Sequence, residues 1–204
     1  MKKIILTVAA VFAFGFANAQ DKTESSEGFS KGDVFASGAI SLGSSKTGDF
    51  KANSFEFAPK VGYFVSENIA VGASVGFNSL KLDNGSDDAK NSGVGFGAFG
   101  RYYFTPASKF SLFAELGVDY TTTDEEFDAE DGTVYASSFE SKELGLGLGL
   151  GMNYFVSSNF SLEAGIAVLG YTSNDNGGDG ADKTNTFALG ANLAAVSFGV
   201  NYKF

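Results

Sequence analysis

From Glu143 to Tyr154 the chain alternates strictly: Leu144, Leu146, Leu148, Leu150, Met152 and Tyr154 interleave with Glu143, Gly145, Gly147, Gly149, Gly151 and Asn153. A period of two places these sets on opposite faces of a strand, one greasy and one almost without side chains. A soluble sandwich or barrel buries its apolar face and covers the other with charge, whereas glycine, serine, alanine and asparagine cover a wet surface poorly. They fit the cramped interior of a barrel with few strands, which turns the leucine face outward. The contrast recurs where Val71, Ala73, Val75 and Phe77 oppose Gly72, Ser74, Gly76 and Asn78. Phe110, Leu112, Ala114, Leu116 and Val118 form another uncharged row, and Gly93, Gly95 and Gly97 another small-residue row. A Lys or Arg on such a face at a bilayer midplane would cost about 2 to 4 kcal/mol.

Eight such runs are predicted strands: 34–44, 52–64, 69–80, 92–104, 109–121, 139–155, 159–171 and 186–204. Most exceed the roughly 9 to 11 residues that a tilted strand needs to cross the hydrocarbon layer. Short connections (65–68, 105–108, 156–158) alternate with longer polar ones (45–51, 81–91, 121–138, 172–185). Short periplasmic turns and longer extracellular loops have this pattern, and an even strand number returns both termini to the periplasm. Unpaired backbone is too unfavourable in lipid to persist, so the strands must close. The expectation is an all-β, eight-stranded antiparallel up-and-down transmembrane barrel over 34–204. Tyr63-Phe64, Tyr103-Phe104 and Tyr154-Phe155 repeat at the short turns as interfacial aromatics. Two places resist the scheme. Pro59 cannot donate a ladder hydrogen bond, which predicts a bulge or local fraying. The apolar phase slips between Leu193 and Val196, which predicts a bulge near Leu193–Ala195.

The first residues are an address. Lys2 and Lys3, an apolar run from Ile4 to Phe16, and Ala17-Asn18-Ala19 make a signal peptide over 1–19, too short in its core to span a bilayer as a helix. Residues 20–33 then form a polar periplasmic leader. Without the signal peptide, twelve basic and twenty-four acidic residues give 12 − 24 = −12, so nucleic acid is not an expected partner. The sequence has no cysteine and no histidine. That removes disulfides, thiolate metal sites, thiol nucleophiles and histidine bases, and no enzymatic activity, cofactor or metal centre is expected.

The last residues, Ser197 to Phe204, put Phe198, Val200, Tyr202 and Phe204 in one outward row. This row is similar to the C-terminal recognition signal of outer-membrane barrels. With the signal peptide and the "RYYF" and "GYF" hairpin ends, the chain resembles the small outer-membrane β-barrel family, OmpA/OmpX-like and often labelled porin-family, in particular its Bacteroidetes-type members. The resemblance implies insertion into the bacterial outer membrane by the barrel-assembly machinery and contact with its lipid and lipopolysaccharide.

Candidate site residues are the ionisable groups on the small-residue face: Glu56, Lys60, Arg101, Glu115 and Glu163. All should point into the lumen. A buried charge without a partner is strongly unfavourable, so pairing is expected, and the family resemblance implies a lumenal ion-pair cluster of this kind. The cluster is read first as a structural plug and second as a gate that exchanges partners. Thirteen acidic residues fall in the four long connections, densest from Asp124 to Asp131. They suit a solvated surface or contacts with divalent cations. Gly177 to Asp182 matches part of one calcium-binding nonapeptide repeat, once only. The leading expectation is an envelope barrel with acidic extracellular loops. A narrow diffusion pore and a soluble ligand-binding barrel are the alternatives.

Overall fold

The computed structural model describes residues 27–83, 87–129, 139–177, 180–191 and 196–204. Seven long antiparallel strands follow the expected order: β1 (Val34–Thr47), β2 (Phe50–Phe64), β3 (Ile69–Asp83), β4 (Asp87–Tyr103), β5 (Phe110–Ala129), β6 (Phe139–Phe155) and β7 (Phe160–Asn174). The eighth stave comes in two pieces, β8 (Thr184–Leu189) and β9 (Ser197–Lys203). Each of β1 to β6 pairs with the next in sequence, β7 pairs with both pieces, and β9 pairs back onto β1 to close the barrel. The greasy rows face outward. Leu116, Leu150, Leu162 and Phe198 are all about half exposed or more, while their chain neighbours on the other face are glycine, serine and the glutamates Glu115 and Glu163.

Two of the three short turns owe their shape to a repeated sequence. Val65-Ser66-Glu67-Asn68-Ile69 and Val156-Ser157-Ser158-Asn159-Phe160 fold identically: the valine amide donates to the carbonyl of the fifth residue, at 2.9 and 2.8 Å. The serine hydroxyl accepts from that residue's amide, at 3.1 Å in both. Each asparagine amide then clamps a neighbouring strand end, Asn68 on the Tyr103 carbonyl and Asn159 on the Lys203 carbonyl, both at 2.8 Å. The serine bonds define each turn locally, and the asparagine bonds tie it to the adjoining strand.

At the other rim the strands run further than expected. The polar stretch 45–51 is a continuation of β1 and β2 around a two-residue turn, Gly48-Asp49, where Gly48 takes a φ of 62°. β4 and β5 likewise stay paired from Ser92–Asp124 up to Asp87–Ala129. The stretches read as loops are therefore largely ladder, because backbone pairing continues after the hydrophobic pattern that signals a membrane strand has ended. In the acidic run, Asp124 to Ala129 belong to β5, and residues 130–138 lie outside the described part.

Pro59 causes a gap in pairing and no bulge. Its pairing with Gly38 of β1 is intact, while the β2–β3 ladder skips Ala58 and Pro59 and resumes at Lys60–Ser74 in the register it had at Phe57–Phe77. The missing N–H costs two rungs without shifting a residue. Leu193–Ala195, where a bulge was expected, lies outside the described residues. The strand phase does change across it: odd-numbered Phe187 and Leu189 face out in β8, and even-numbered Phe198 and Val200 in β9. β7 carries the matching defect. Its register against β6 shifts between Leu148–Leu169 and Gly149–Ala167, so outward Leu162 gives way to outward Tyr171. Among the described residues β8 pairs with β7 alone, and β1 has no ladder partner on its β9 side beyond Ala39.

The aromatic pairs at the short turns divide. Tyr63, Phe104 and Tyr154 are exposed and form the interfacial girdle, but Phe64, Tyr103 and Phe155 are fully buried inside the periplasmic mouth. Adjacent residues of a strand point to opposite faces, so an aromatic pair can serve both.

Candidate functional site

The lumen is filled in its periplasmic half. Arg101, the one arginine in the sequence, extends from β4 across the bore and is 1% exposed. Its Nε donates to Glu115 Oε2 at 2.6 Å, and Nη1 and Nη2 reach the two Glu163 oxygens at 2.7 and 2.9 Å. Lys60 Nζ donates to the other Glu115 oxygen at 2.6 Å. Nη1 also donates to the Tyr103 hydroxyl at 3.0 Å. The guanidinium carbon lies 4.1 Å from the Phe113 ring centre and 5.4 Å from that of Phe99. Two cations and two carboxylates thus cancel in charge, with a planar fork matched to carboxylates and flanked by aromatic faces.

Four of the five expected lumenal residues come together here. Glu56 does not: it stands four residues higher on β2, paired across strands with Ser41 and Asn78. It lines a cavity of about 340 Å³ in the outer half with Asn78, Thr121, Thr123, Glu143 and Asn174. Its height follows from its distance along β2 from the short turn at 65–68, four residues beyond Lys60. A second cavity of about 260 Å³ lies directly over the cluster, between Lys60, Arg101, Glu115, Asp119, Glu163 and Ser197.

Below Arg101 the mouth is packed with rings. Phe29 precedes the first strand and was read only as part of a polar leader; it is fully buried at the centre. Its ring centre is 4.7 Å from Phe64, 4.9 Å from Phe155, 5.3 Å from Tyr103 and 5.6 Å from Phe35. The Phe29 amide donates to the Pro106 carbonyl at 2.7 Å. Lys203 Nζ donates to the Gly28 carbonyl at 2.6 Å, and Lys109 pairs with Glu27 at 2.8 Å. Gly28 has φ 110° and lies so close to Ala107 and Pro106 that a Cβ would strike their backbone. The signal available in sequence was a glycine followed by a lone aromatic in a polar segment. Sparse glycines serve the rings above: a Cβ on Gly62, Gly72 or Gly151 would overlap Phe35, Phe99 or Phe113 respectively.

Of the C-terminal row, Phe198 and Val200 are exposed on the barrel exterior. Tyr202 stacks edge-on between Phe160, at 4.8 Å, and Phe204, at 4.9 Å. Among the described residues, no group of three or more acidic, histidine or cysteine side chains could hold a metal ion.

Comparison with known proteins agrees with this architecture. The fold is similar to OprG, an outer membrane protein of Pseudomonas aeruginosa: TM-score 0.52, 18% identity, over 88% of this chain and 99% of that one. It is likewise similar to a major outer membrane protein of Thermus thermophilus: TM-score 0.53, 13% identity, over 84% and 98%. Comparison by sequence with curated proteins gives no match. Residues 6–204 match the family described as outer membrane protein beta-barrel domain. With closed antiparallel strands, outward apolar rows and small and charged residues facing the bore, the chain belongs to that family and is an integral β-barrel of the bacterial outer membrane.

Proposed function

We propose that this barrel serves the envelope structurally, as a plugged membrane body that carries acidic strand extensions and loops on the cell surface. One observation carries the reading: Arg101 is sealed across the bore between Glu115 and Glu163, above a mouth filled by Phe29. A buried ion pair is retained at a desolvation cost unless its geometry is good, and here every guanidinium nitrogen has an oxygen partner. An eight-stranded interior is just wide enough for side chains to fill. The tests are planar-bilayer recording and liposome swelling with refolded protein. No sustained unitary current and no sugar-driven swelling are expected; steady conductance of the wild type would refute the plug.

The surface role rests on the thirteen acidic residues of the extracellular stretches, which would meet divalent cations, lipopolysaccharide or a partner. Magnesium titration followed by amide shifts should move residues of these extensions and leave the periplasmic turns unchanged. The row Phe198, Val200, Tyr202 and Phe204 would be read by the barrel-assembly machinery, after removal of a signal peptide over 1–19 and with 20–33 as leader. A narrow pore is the second reading, supported by the two cavities above the cluster. If Lys60, Arg101, Glu115 and Glu163 gate it, Arg101→Ala or Glu115→Gln must change bilayer current.

A further inference from the structure

The plugged section of the bore combines buried rings with buried polar side chains. Rings come from β1, β2, β4, β5 and β6, with Phe35, Phe64, Phe99, Tyr103, Phe113 and Phe155, all buried. A polar arc runs beside them from β1 through β9, β7 and β6 to β5. Ser37 pairs across strands with Asn201, Asn201 with Ser161, and Asn153 with Ser111. Asn153 Nδ2 closes the arc by donating to Ser161 Oγ at 3.1 Å. Ser111, Asn153, Ser161 and Asn201 are each at most 1% exposed. Yet Asn153 Oδ1 and both polar atoms of the Asn201 side chain have no protein partner. Buried amide groups are almost always satisfied, and where protein does not do so, ordered water with about three hydrogen bonds commonly does.

The arc has an upper and a lower end. Above, Asn153 is the cross-strand partner of Glu163, which with Ser197 lines the cavity over the cluster. Below, Lys203 follows Asn201 on the same inward face and donates to the Gly28 carbonyl, beside the Phe29 ring that fills the mouth. Residues 27–30 therefore sit where the arc would reach the periplasm. They are held by backbone bonds, the exposed Glu27–Lys109 pair and ring packing, and are not part of any strand.

We propose that Ser37, Ser111, Asn153, Ser161 and Asn201 form a hydrated track that bypasses Arg101, conducts water, and is stoppered at its periplasmic end by the Gly28–Phe29 strap. The proposal rests on the sealed bore of the preceding reading. The track is neutral and interrupted by no charge of its own, so it suits water and not ions, whose desolvation the arc offers nothing to offset.

The test is osmotic water permeability of proteoliposomes containing the full refolded chain, with ion current recorded on the same preparations. Wild type should match protein-free vesicles. Phe29→Ala should raise water permeability, and Asn153→Leu with Asn201→Leu in the Phe29→Ala background should return it to the wild-type level. A Phe29→Ala barrel with intact heat-modifiable mobility and wild-type permeability would overturn the proposal, as would a rise that survives both leucines. If Phe29→Ala does not fold, wild-type protein in micelles decides: the Asn201 side-chain amide should show water cross-relaxation, and its absence overturns the track. Ion current through the wild type would instead refute the plug reading, which keeps the two failures distinguishable.

Discussion

The periplasmic and outer halves of this barrel share strands and an outward apolar surface, yet their interiors follow different rules. The lower half is filled: rings seat over glycines, one arginine is tied to two carboxylates, and β9 closes onto β1. The upper half is lined by glycine, threonine and asparagine around a cavity, and there β8 pairs with β7 alone among the described residues. The lipid requires the same exterior at both heights, so it leaves the interior free to differ. Stability is therefore concentrated below, and substitutions of the same kind should have unequal effects in the two halves.

The largest difference is expected for charge. Arg101→Ala leaves Glu163 without its partner and Glu115 with Lys60 alone, and should cost about 3 to 5 kcal/mol, the usual penalty for breaking a buried pair. Glu56→Ala, in the outer half, should stay within about 0.5 kcal/mol. Urea unfolding of the refolded barrels in lipid measures both. Equal costs would erase the distinction between the halves.

Glycine gives the next test. A Cβ on Gly72 meets the Phe99 ring and the Val61 carbonyl, so Gly72→Ala should destabilise by about 1 to 3 kcal/mol through overpacking. Gly76, four residues higher on the same face, has open space around its missing side chain. Gly76→Ala should be neutral or should stabilise by up to about 1 kcal/mol by restricting the unfolded chain. Opposite signs in one chemical-denaturation series would sharpen the comparison; a stable Gly72→Ala would break it.

The smallest effects are at the exposed ends, where acid and alkali act on opposite rims. The Lys142 amide, and then that of Gly177, hold the Asp175 carboxylate below the ordinary aspartate range. Because the folded value is depressed, its contribution is complete above the unfolded pKa of about 3.9 and is lost as pH falls through the folded value. The protection of the Lys142 and Gly177 amides, measured against their intrinsic exchange rates, should fall in that acid window. At the periplasmic rim, the hydrogen bond to Glu27 raises the Lys109 pKa. That contribution is complete below the ordinary lysine value of about 10.4 and is lost as pH rises through the folded one. Proteolysis of the strap near Glu27 should then increase at high pH, with the outer rim unaffected.

Much of this architecture is legible in the sequence alone. Strict alternation gave the facing of nearly every residue, and the β6 limits Phe139–Phe155 coincide with the predicted run. It also brought Lys60, Arg101, Glu115 and Glu163 to one interior. The alternation did not mark where the strands stop at the outer rim, since β1 and β2 remain paired to Gly48-Asp49 after their apolar pattern has ended. Nor did it separate Glu56 from the cluster.

What the sequence determined by itself is which side of each strand meets lipid, because that depends only on a period of two and on the cost of charge in hydrocarbon. The contacts inside the bore, and with them the seating of Arg101, were decided by side chains converging from β2, β4, β5 and β7, a relation among distant segments. The Phe29 plug was likewise tertiary. A single ring in a polar segment has no periodicity, and its burial exists only once Phe35, Phe64, Tyr103 and Phe155 converge from four different strands.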